Sequence, residues 1–452
     1  MRAARVAPRM HLCSRFSRVA QLAAVAIALA TGSPAVCLER VTHTDDNERG
    51  TSAVFPDARD PAPEDWKGPV FRLSQSYPKV LPAEEKYPWR GFDFRTQYKE
   101  YLEAVLKYCL EGNVEVDWDI SKNSVRDWYH APWLHWGRNG REFVHGLTHE
   151  RVALPEELAR TQTSMFQNWA IGMYNEPGGY VVGRVWKDPN VPDPTAAKFP
   201  DGTVALKLLF TQASVSQVPY LKSAKEWEAF VYETTAIPTN PLGRRSIQTL
   251  RLLQVDVAVR DARADDTTGW VFGTFVYNGN LPGKTPWERL APIGLMWGND
   301  PRLTMAQVRR GVPPKETVTS AAGTVPFQHL GWAGRLNGPV DNPNSSCLSC
   351  HAVAQWPVAA PLLPPRSVEQ DSIEWMKWFR NLKAGVPFSE GTVSLDYSLQ
   401  LAVGIDNFHE WQELVRTKGG ATVEGATKGA AAWLGARASP PMKYELSRAG
   451  ED

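Results

Sequence analysis

The sequence predicts a mixed α+β protein, in which a β-rich antiparallel sheet or barrel domain has flanking helices and is followed by a C-terminal segment with a Cys-x-x-Cys-His motif. Two observations predict the sheet. Apolar and polar residues alternate along Arg251–Arg260, and the apolar run Trp270–Tyr277 is followed at once by Asn278-Gly279, a favoured hairpin turn. A third predicts the helices, because apolar residues recur at helical spacing in Phe94–Leu110, just before Gly112.

The chain has 452 residues, enough for two or three domains or for one large core with elaborations. Changes in composition and pattern divide it in chain order. The parts are a signal peptide (1–35), an extended proline-rich arm (36–92), a helical region rich in His and Trp (93–164), a β-rich domain (165–300), a segment with helices and the cysteine motif (301–416), and a disordered tail rich in Gly and Ala (417–452).

The first 35 residues have the features of a secretory signal peptide. Arginines precede the short apolar run Val19–Ala30, and Ser33-Pro34-Ala35 offers small residues for cleavage. Neither this run nor a later one is long enough to cross a bilayer, so the sequence predicts a periplasmic protein without a membrane span. Lipid anchoring through Cys37 is disfavoured, because Pro34-Ala35-Val36 is a poor approach to a lipidated cysteine.

Charge excludes one class of partner. Loss of the leader removes five arginines and no acidic residue, which leaves 45 basic and 49 acidic residues and a net charge of 45 − 49 = −4. A protein without a basic surplus is not expected to bind nucleic acid.

Periodicity predicts the individual elements. The predicted strands are Tyr180–Trp186 (opened by Gly178-Gly179), Val204–Phe210, Arg251–Arg260 and Trp270–Tyr277. The predicted helices are Phe94–Leu110, Thr304–Arg310, a segment that starts at Ser367 with Gln370 in capping-box position and ends at Gly385, and Ser398–Val415.

The motif Cys347-Leu348-Ser349-Cys350-His351 is typical of covalent attachment of a c-type haem. Two thiols three residues apart can form thioethers with the two vinyl groups on one porphyrin edge. The histidine that follows can then bind the iron as its proximal ligand. The motif therefore predicts one covalently attached haem c with Cys347, Cys350 and His351 as its residues, and makes 301–416 a haem c segment.

Other uses of a Cys-x-x-Cys pair fit less well. A zinc site commonly needs a second such pair or a histidine pair at fixed spacing, and no second cysteine pair exists here. A thioredoxin-like pair is expected near a βαβ pattern, whereas Asn342–Ser346 has the composition of a loop. The remaining alternative is a Cys347–Cys350 disulfide in a β-rich binding module without haem.

The region 128–149 holds four histidines among tryptophans, which raises the question of a second metal site. Gly146, between His145 and His149, disfavours a metal-binding helix, so structural histidines are expected, with a distal haem histidine as the alternative. After loss of the leader two cysteines remain outside the motif, Cys37 and Cys109, and they can form a disulfide or remain unpaired, with Cys109 buried on a helix face.

The sixth iron position decides between electron transfer and catalysis. The candidates for a distal ligand downstream of the motif are Met376, His409 and Met442. Met376 equally suits a core position beside the tryptophans of its segment. Because none of the three stands out, an open sixth position is the alternative, and it would imply ligand binding or catalysis.

Three segments, taken in order, resemble the cytochrome P-460 family: Phe199–Lys207, which contains Asp-Gly-Thr-Val, then Gly269–Tyr277, then the haem motif. The resemblance implies a mostly antiparallel β fold, often a homodimer, with a five-coordinate haem bound by His351. Some members oxidise hydroxylamine and related ones bind nitric oxide. The lysine that cross-links to the porphyrin in the hydroxylamine oxidisers corresponds to Lys207, and Trp270, Phe272 and Tyr277 would shape the pocket.

Strand parity bears on Lys207. It shares a strand face with Thr203 and Ala205, opposite the apolar residues Leu206 and Leu208, so it faces haem only if the pocket lies on that side. A solvent-facing lysine is the alternative. The sequence thus leaves two functions: an exported mono-haem cytochrome that exchanges single electrons with a redox partner protein, or a P-460-like haem oxidoreductase or gas-binding protein with an open distal site.

Overall fold

The computed structural model describes residues 55–73, 76–83, 86–137, 140–233, 245–320 and 330–417. The predicted signal peptide, Cys37, Met442 and the predicted tail beyond Thr417 lie outside the described residues. The α-helices are α1 (Tyr98–Leu110), α2 (Glu176–Val185), α3 (Met305–Arg309), α4 (Cys347–His351) and α5 (Leu399–Thr417). None of them is both long and apolar enough to cross a membrane.

Nine strands form one antiparallel sheet, and two short ones form a separate pair. In chain order they are β1 (Trp128–Tyr129), β2 (Thr148–His149), β3 (Asn168–Asn175), β4 (Val204–Thr211), β5 (Glu226–Tyr232), β6 (Arg245–Arg260), β7 (Trp270–Tyr277), β8 (Leu290–Met296), β9 (Thr317–Thr319), β10 (Gln355–Trp356) and β11 (Val393–Ser394). The order in the large sheet is β1-β3-β4-β6-β7-β8-β9, with β2 also paired to β3 and β5 to β6.

The prediction of a mixed fold around an antiparallel sheet is confirmed, but within the described strands the sheet is open and does not close into a barrel. The predicted strands at 204–210, 251–260 and 270–277 appear as β4, β6 and β7. The sixteen-residue β6 is long enough to pair with β4 and β7 through one half and with β5 through the other.

The two faces of the central strands differ in chemistry. One face is apolar and includes Leu206 and Leu208 of β4 and Val255 and Val257 of β6, all buried. Helix α1 packs there: a Cβ at Gly273 of β7 would lie 2.2 Å from Leu102 Cδ2, so only glycine admits the helix this closely. The opposite face carries polar residues at the same level, and the segment with the cysteine motif lies against it.

Two predicted elements are wrong. Residues 180–186 are not a strand, because Pro177 and Glu176 start the helix α2 and its apolar residues Val181, Val182 and Val185 share one buried face. Pro in the first turn and an acidic residue near the positive helix end both favour helix, and the valines fit either period. The valine run gave a strand-like pattern that tertiary packing overrode.

The helix expected from Ser367 is also absent from the described segment, which forms turns and a short 3-10 helix, Trp375–Phe379. Asp371 there adopts a left-handed backbone conformation (φ 64°), which interrupts a helix. Its carboxylate accepts hydrogen bonds from the backbone N–H groups of Met305 and Ala306, at 2.7 and 3.0 Å. Asp371 therefore caps α3 instead of belonging to a helix of its own.

Candidate functional site

The Cys-x-x-Cys-His motif coincides with the short helix α4. Ser346 caps its N-terminus: the Ser346 hydroxyl accepts from the Ser349 backbone N–H at 3.0 Å, and the Ser349 hydroxyl accepts from the Ser346 N–H at 2.8 Å. This reciprocal capping box fixes a helix of five residues that would be too short to form alone. The motif is therefore held in a single turn, with both thiols and the imidazole in a defined order.

The two cysteines and the histidine of the motif share one side of α4. Cys347, Cys350 and His351 are each partly accessible, whereas the intervening Leu348 and Ser349 are buried. Both motif cysteines are free thiols, so the disulfide alternative has no counterpart in this structure. Burial raises the pKa of Cys350 to about 11, so that thiol stays protonated at neutral pH.

His351 is oriented by a hydrogen bond between its Nδ1 atom and the Tyr397 carbonyl oxygen, at 2.8 Å. Burial lowers the pKa of His351 to about 4, so the ring is neutral at pH 7. A neutral ring that donates from Nδ1 keeps its lone pair on Nε2, the nitrogen that a proximal iron ligand uses. Tyr397 is thus the residue that fixes the orientation and tautomer of His351.

Strained backbone presents the Tyr397 carbonyl. Asp396 and Tyr397 both have left-handed conformations, with φ of 49° and 66°. Such non-glycine residues cost on the order of 1 kcal/mol each and persist where surrounding contacts enforce them. Here the contacts are the Asp396 carboxylate, which accepts from three N–H groups, and the Tyr397 hydroxyl, which donates to the Leu382 carbonyl oxygen at 2.6 Å.

Opposite α4, one row of residues crosses the polar face of the sheet. Strand pairing aligns Gly172 of β3, Lys207 of β4, Asp256 of β6, Thr274 of β7 and Gly294 of β8. The row meets the motif at two points. Thr274 is hydrogen bonded to the Cys347 thiol, and the ring of Phe272, two residues before Thr274, lies 4.8 Å from the His351 ring.

Lys207 therefore lies on the face that carries the haem motif. Its ammonium group contacts the Glu150 carboxylate at 2.9 Å, and its side chain is 33% exposed. Burial alone would lower the pKa of Lys207, but Glu150, Asp341 and Asp256 outweigh it and raise the pKa above the usual value. Lys207 is a cation beside the motif rather than an isolated surface lysine.

Asp256 lies at the centre of the row. It accepts from the Thr274 hydroxyl at 2.8 Å, and the Gln254 amide donates to both of its oxygens at 2.9 Å. The same amide lies 3.3 Å from Asp341, just before the motif. Burial and the charge of Asp341 raise the pKa of Asp256 to about 7, against the opposing charge of Lys207. Asp256 can therefore take up or release a proton near neutral pH.

Small residues and unused hydrogen-bonding capacity exist beside this row. The small residues Ala205 and Ala258 adjoin it on the same face. The buried side-chain oxygens of Gln254 and Gln400 have no partner. The Gln254 amide nitrogen would lie 2.1 Å from a Cβ added at Gly338, and the Gln400 amide nitrogen would lie 2.2 Å from a Cβ added at Gly172. Each amide therefore occupies a place that only a glycine leaves free. The site accordingly has small residues, unsatisfied polar atoms and an oriented imidazole around two thiols. This set of groups fits a covalently attached haem.

The predicted distal ligands have other neighbours. Met376 packs in a second apolar cluster with Trp332, Trp375 and Phe379, as a core methionine does. The His409 ring stacks on Trp356, with centroids 4.6 Å apart. Met442 lies outside the described residues. The structure brings Lys207 to the motif and gives Met376 and His409 packing roles, which leaves the distal ligand open.

The histidines of region 128–149 have separate surroundings. His130 Nδ1 is 2.9 Å from the Gly172 carbonyl oxygen, the His145 ring stacks on Trp227, and His149 lies 3.7 Å from Glu142. In the described part of the chain no group of three metal-binding side chains occurs. Cys109 is a buried free thiol on α1.

Sequence reasoning missed Asp341, Thr274 and Tyr397. Thr274 carries a weak signal, since it is a polar residue within the otherwise apolar β7, and Asp256 lies on the polar side of the alternation in β6. Tyr397 acts through its backbone carbonyl, which no side-chain pattern reveals. Comparisons with protein-family models, with curated proteins and with solved structures found no match to this chain.

Proposed function

We propose that this chain is an exported mono-haem c-type cytochrome that exchanges single electrons with a redox partner protein. The observation that carries the proposal is the motif helix α4 with His351 already oriented by the Tyr397 carbonyl. Cys347 and Cys350 would hold the haem through thioethers, and His351 would bind its iron. When bound, a haem c supplies one-electron iron chemistry.

The residues around α4 have their own tasks in this proposal. Tyr397 fixes the ring angle and tautomer of His351, and the hydrogen bond raises the basicity of its free nitrogen. Phe272 covers one side of the His351 ring and keeps water from it.

The first test is covalent haem attachment. The chain with its leader is produced in a bacterial host that carries the c-type haem maturation system, and the pyridine haemochrome spectrum and haem-stained denaturing gel are recorded. A c-type band is expected, lost from the stained gel in Cys347→Ala with Cys350→Ala and kept in Cys109→Ala, the buried cysteine outside the motif. A wild-type protein without a c-type band would overturn the proposal.

A second candidate function has support from the ionisable groups beside the motif. Four ionisable residues are grouped in a partly buried place: Lys207, Glu150, Asp256 and Asp341. Burial of ionisable groups costs desolvation energy, and electron transfer alone does not require such groups. Such groups suit proton transfer to a small ligand at an open iron position. This is the P-460-like alternative, a haem oxidoreductase acting on a small nitrogen compound such as hydroxylamine, or a gas-binding protein.

Carbon monoxide separates the two functions. A six-coordinate ferrous spectrum that carbon monoxide leaves unchanged supports the electron carrier, and variants of Met376, His409 and Met442 then identify the ligand. A high-spin ferrous spectrum that shifts with carbon monoxide supports the open site. The homodimer implied by the P-460 resemblance is tested alongside by sedimentation of the haem-loaded protein.

A further inference from the structure

A tryptophan and a buried carboxylate lie directly behind the residue that orients His351. The Trp270 indole Nε1–H donates to Asp396 Oδ1 at 3.1 Å, and both residues are buried. Asp396 is joined by one peptide bond to Tyr397, whose carbonyl holds His351. A continuous route of two hydrogen bonds and the intervening backbone therefore links the His351 imidazole to the Trp270 indole.

Ring packing provides a parallel route. The Trp270 ring centroid is 6.4 Å from those of both Phe272 and Tyr397, and Phe272 is 4.8 Å from His351. On its other side Trp270 meets the edge of Phe199 at 5.7 Å. Trp270 thus stands between the motif histidine and the segment that begins at Lys198.

Lys198, which precedes Phe199 in the chain, lines a cavity. The cavity has a volume of about 270 Å³, and its lining includes Ala197, Lys198, Gly385, Thr392 and Ser394. The Asp396 carboxylate binds the chain at two places beside this cavity. It accepts hydrogen bonds from the backbone N–H of Phe199, next to Lys198, at 2.9 Å and from the N–H of Gly385, a lining residue, at 3.3 Å. The exposed Lys198 places this cavity at the surface.

Burial raises the pKa of Asp396, and the three N–H groups that donate to its carboxylate oppose this by favouring the ionised form. A negative charge in hydrogen-bond contact with an indole, away from water, favours the indole after it has lost an electron, since attraction between opposite charges is strong in a low dielectric. Trp227 also donates to a carboxylate, that of Asp117 at 3.1 Å, but the Asp117 side chain is half exposed to water. The buried Trp332 and Trp375 indole N–H groups have no partner.

We infer that Trp270, held by Asp396, is a redox-active relay between the haem bound at His351 and the surface cavity at Lys198. When a strong one-electron oxidant acts at the cavity, one electron leaves the Trp270 indole for the oxidant, and one electron from ferrous iron refills the indole. Asp396 keeps its charge and no proton is transferred. The inference rests on the proposed haem attachment only for the second of these two steps.

The test places a photo-oxidant at the cavity. A ruthenium polypyridyl complex is attached to a histidine introduced by Lys198→His, and its attachment site is verified by peptide mass spectrometry. Flash-quench oxidation of the ferrous holoprotein is followed by the ferrous-to-ferric absorbance change. We expect the rate to fall at least tenfold in Trp270→Phe and to stay unchanged in Trp332→Phe, a matched buried tryptophan in the second apolar cluster.

Two further measurements distinguish loss of the relay from misfolding of the variant and from absence of the haem. Asp396→Asn keeps an acceptor for the indole but removes the charge, and is expected to slow the same rate severalfold with an unchanged circular dichroism spectrum. In ferric or haem-free protein the flash should leave a tryptophan radical detectable by electron paramagnetic resonance, absent in Trp270→Phe. A haem-free wild type would refute the proposed function while this radical still supports the relay. A rate and a radical that both survive Trp270→Phe would refute the relay.

Discussion

At the scale of single residues, Asp256 makes stability depend on pH. Its folded-state pKa is raised to about 7, chiefly by burial, whereas an unfolded aspartate titrates near 3.9. Between these values the folded state binds more protons than the unfolded state, so stability falls as pH rises through this window. We expect the wild-type protein to lose on the order of 2 kcal/mol of unfolding free energy between pH 5 and pH 8 through this group.

The check is urea unfolding of wild type and Asp256→Asn at both pH values. The asparagine keeps an acceptor for Thr274 and Gln254 and cannot ionise, so the variant should gain stability relative to wild type at pH 8 and show a flatter profile. Asp265→Asn, at a carboxylate that is 53% exposed, serves as a control that leaves the slope unchanged. Parallel profiles for wild type and Asp256→Asn would contradict the assignment.

Lys207 is the residue for which the P-460 resemblance implies a porphyrin cross-link. An amine must be neutral to attack carbon, yet Glu150 at 2.9 Å and the nearby carboxylates keep this one charged. We therefore expect peptide mass spectrometry of the haem-loaded protein to recover the peptide containing Lys207 unmodified. Glu150→Gln removes the direct partner and is the variant in which a cross-link should appear, if one can form. A cross-linked Lys207 in wild type would contradict this expectation.

The residues of the site could be predicted from sequence to different extents. The motif residues Cys347, Cys350 and His351 lie within one short stretch of the chain, so the sequence alone predicts that their side chains are close together. Strand parity restricted Lys207 to one face, and strand pairing then placed that face under α4. Asp341 and Tyr397 come from loops, and their positions depend on contacts between distant segments that no local pattern encodes.

At the scale of elements, two capping boxes allow a matched comparison. Ser346 caps α4 and Thr304 caps α3, each with a reciprocal side-chain bond. Loss of either cap should cost about 1 kcal/mol of unfolding free energy. Ser346→Ala also leaves the Asn299 side-chain oxygen without the hydrogen bond that it accepts from the Ser346 hydroxyl at 2.7 Å. We therefore expect the larger loss there.

The two variants should differ in haem loading as well as in stability. Because α4 holds both attachment cysteines, Ser346→Ala is expected to lower the haem-to-protein ratio of the purified protein, while Thr304→Ala leaves it unchanged. The ratio is measured from the haemochrome and peptide absorbances. Equal ratios for both variants would show that the α4 cap does not assist attachment.

The errors in element prediction also have a local cause. In 180–186 the valines fit a strand and a helix equally, and burial of Val181, Val182 and Val185 on one side decides for the helix α2. At 367–379 the side chain of Asp371 is used to cap α3, a contact across 65 and 66 residues of chain. In contrast, β7 and α5 lie where their sequence patterns predict them.

At the scale of the whole molecule, the proline-rich arm, the His/Trp-rich region and the sheet meet at one ion-pair network. Arg245 of β6 contacts Glu142, whose side chain is fully buried, and also contacts Asp60 of the arm at 3.0 Å. The Arg245 guanidinium donates to the Phe230 carbonyl oxygen of β5 at 2.9 Å as well. Removal of one partner of a buried pair leaves an uncompensated charge, which typically costs about 3–5 kcal/mol.

We therefore expect Arg245→Leu to lower the unfolding free energy by about 3 kcal/mol, and Arg245→Leu with Glu142→Leu to recover most of that loss, because the double variant buries no lone charge. Arg416→Leu, at the exposed pair with Glu413 on α5, should have no measurable effect. Urea unfolding gives the three values, and protease cleavage within the arm reports whether Asp60 stays attached. If Arg245→Leu were as harmless as Arg416→Leu, the arm and the sheet would have to be joined by the surrounding apolar contacts alone.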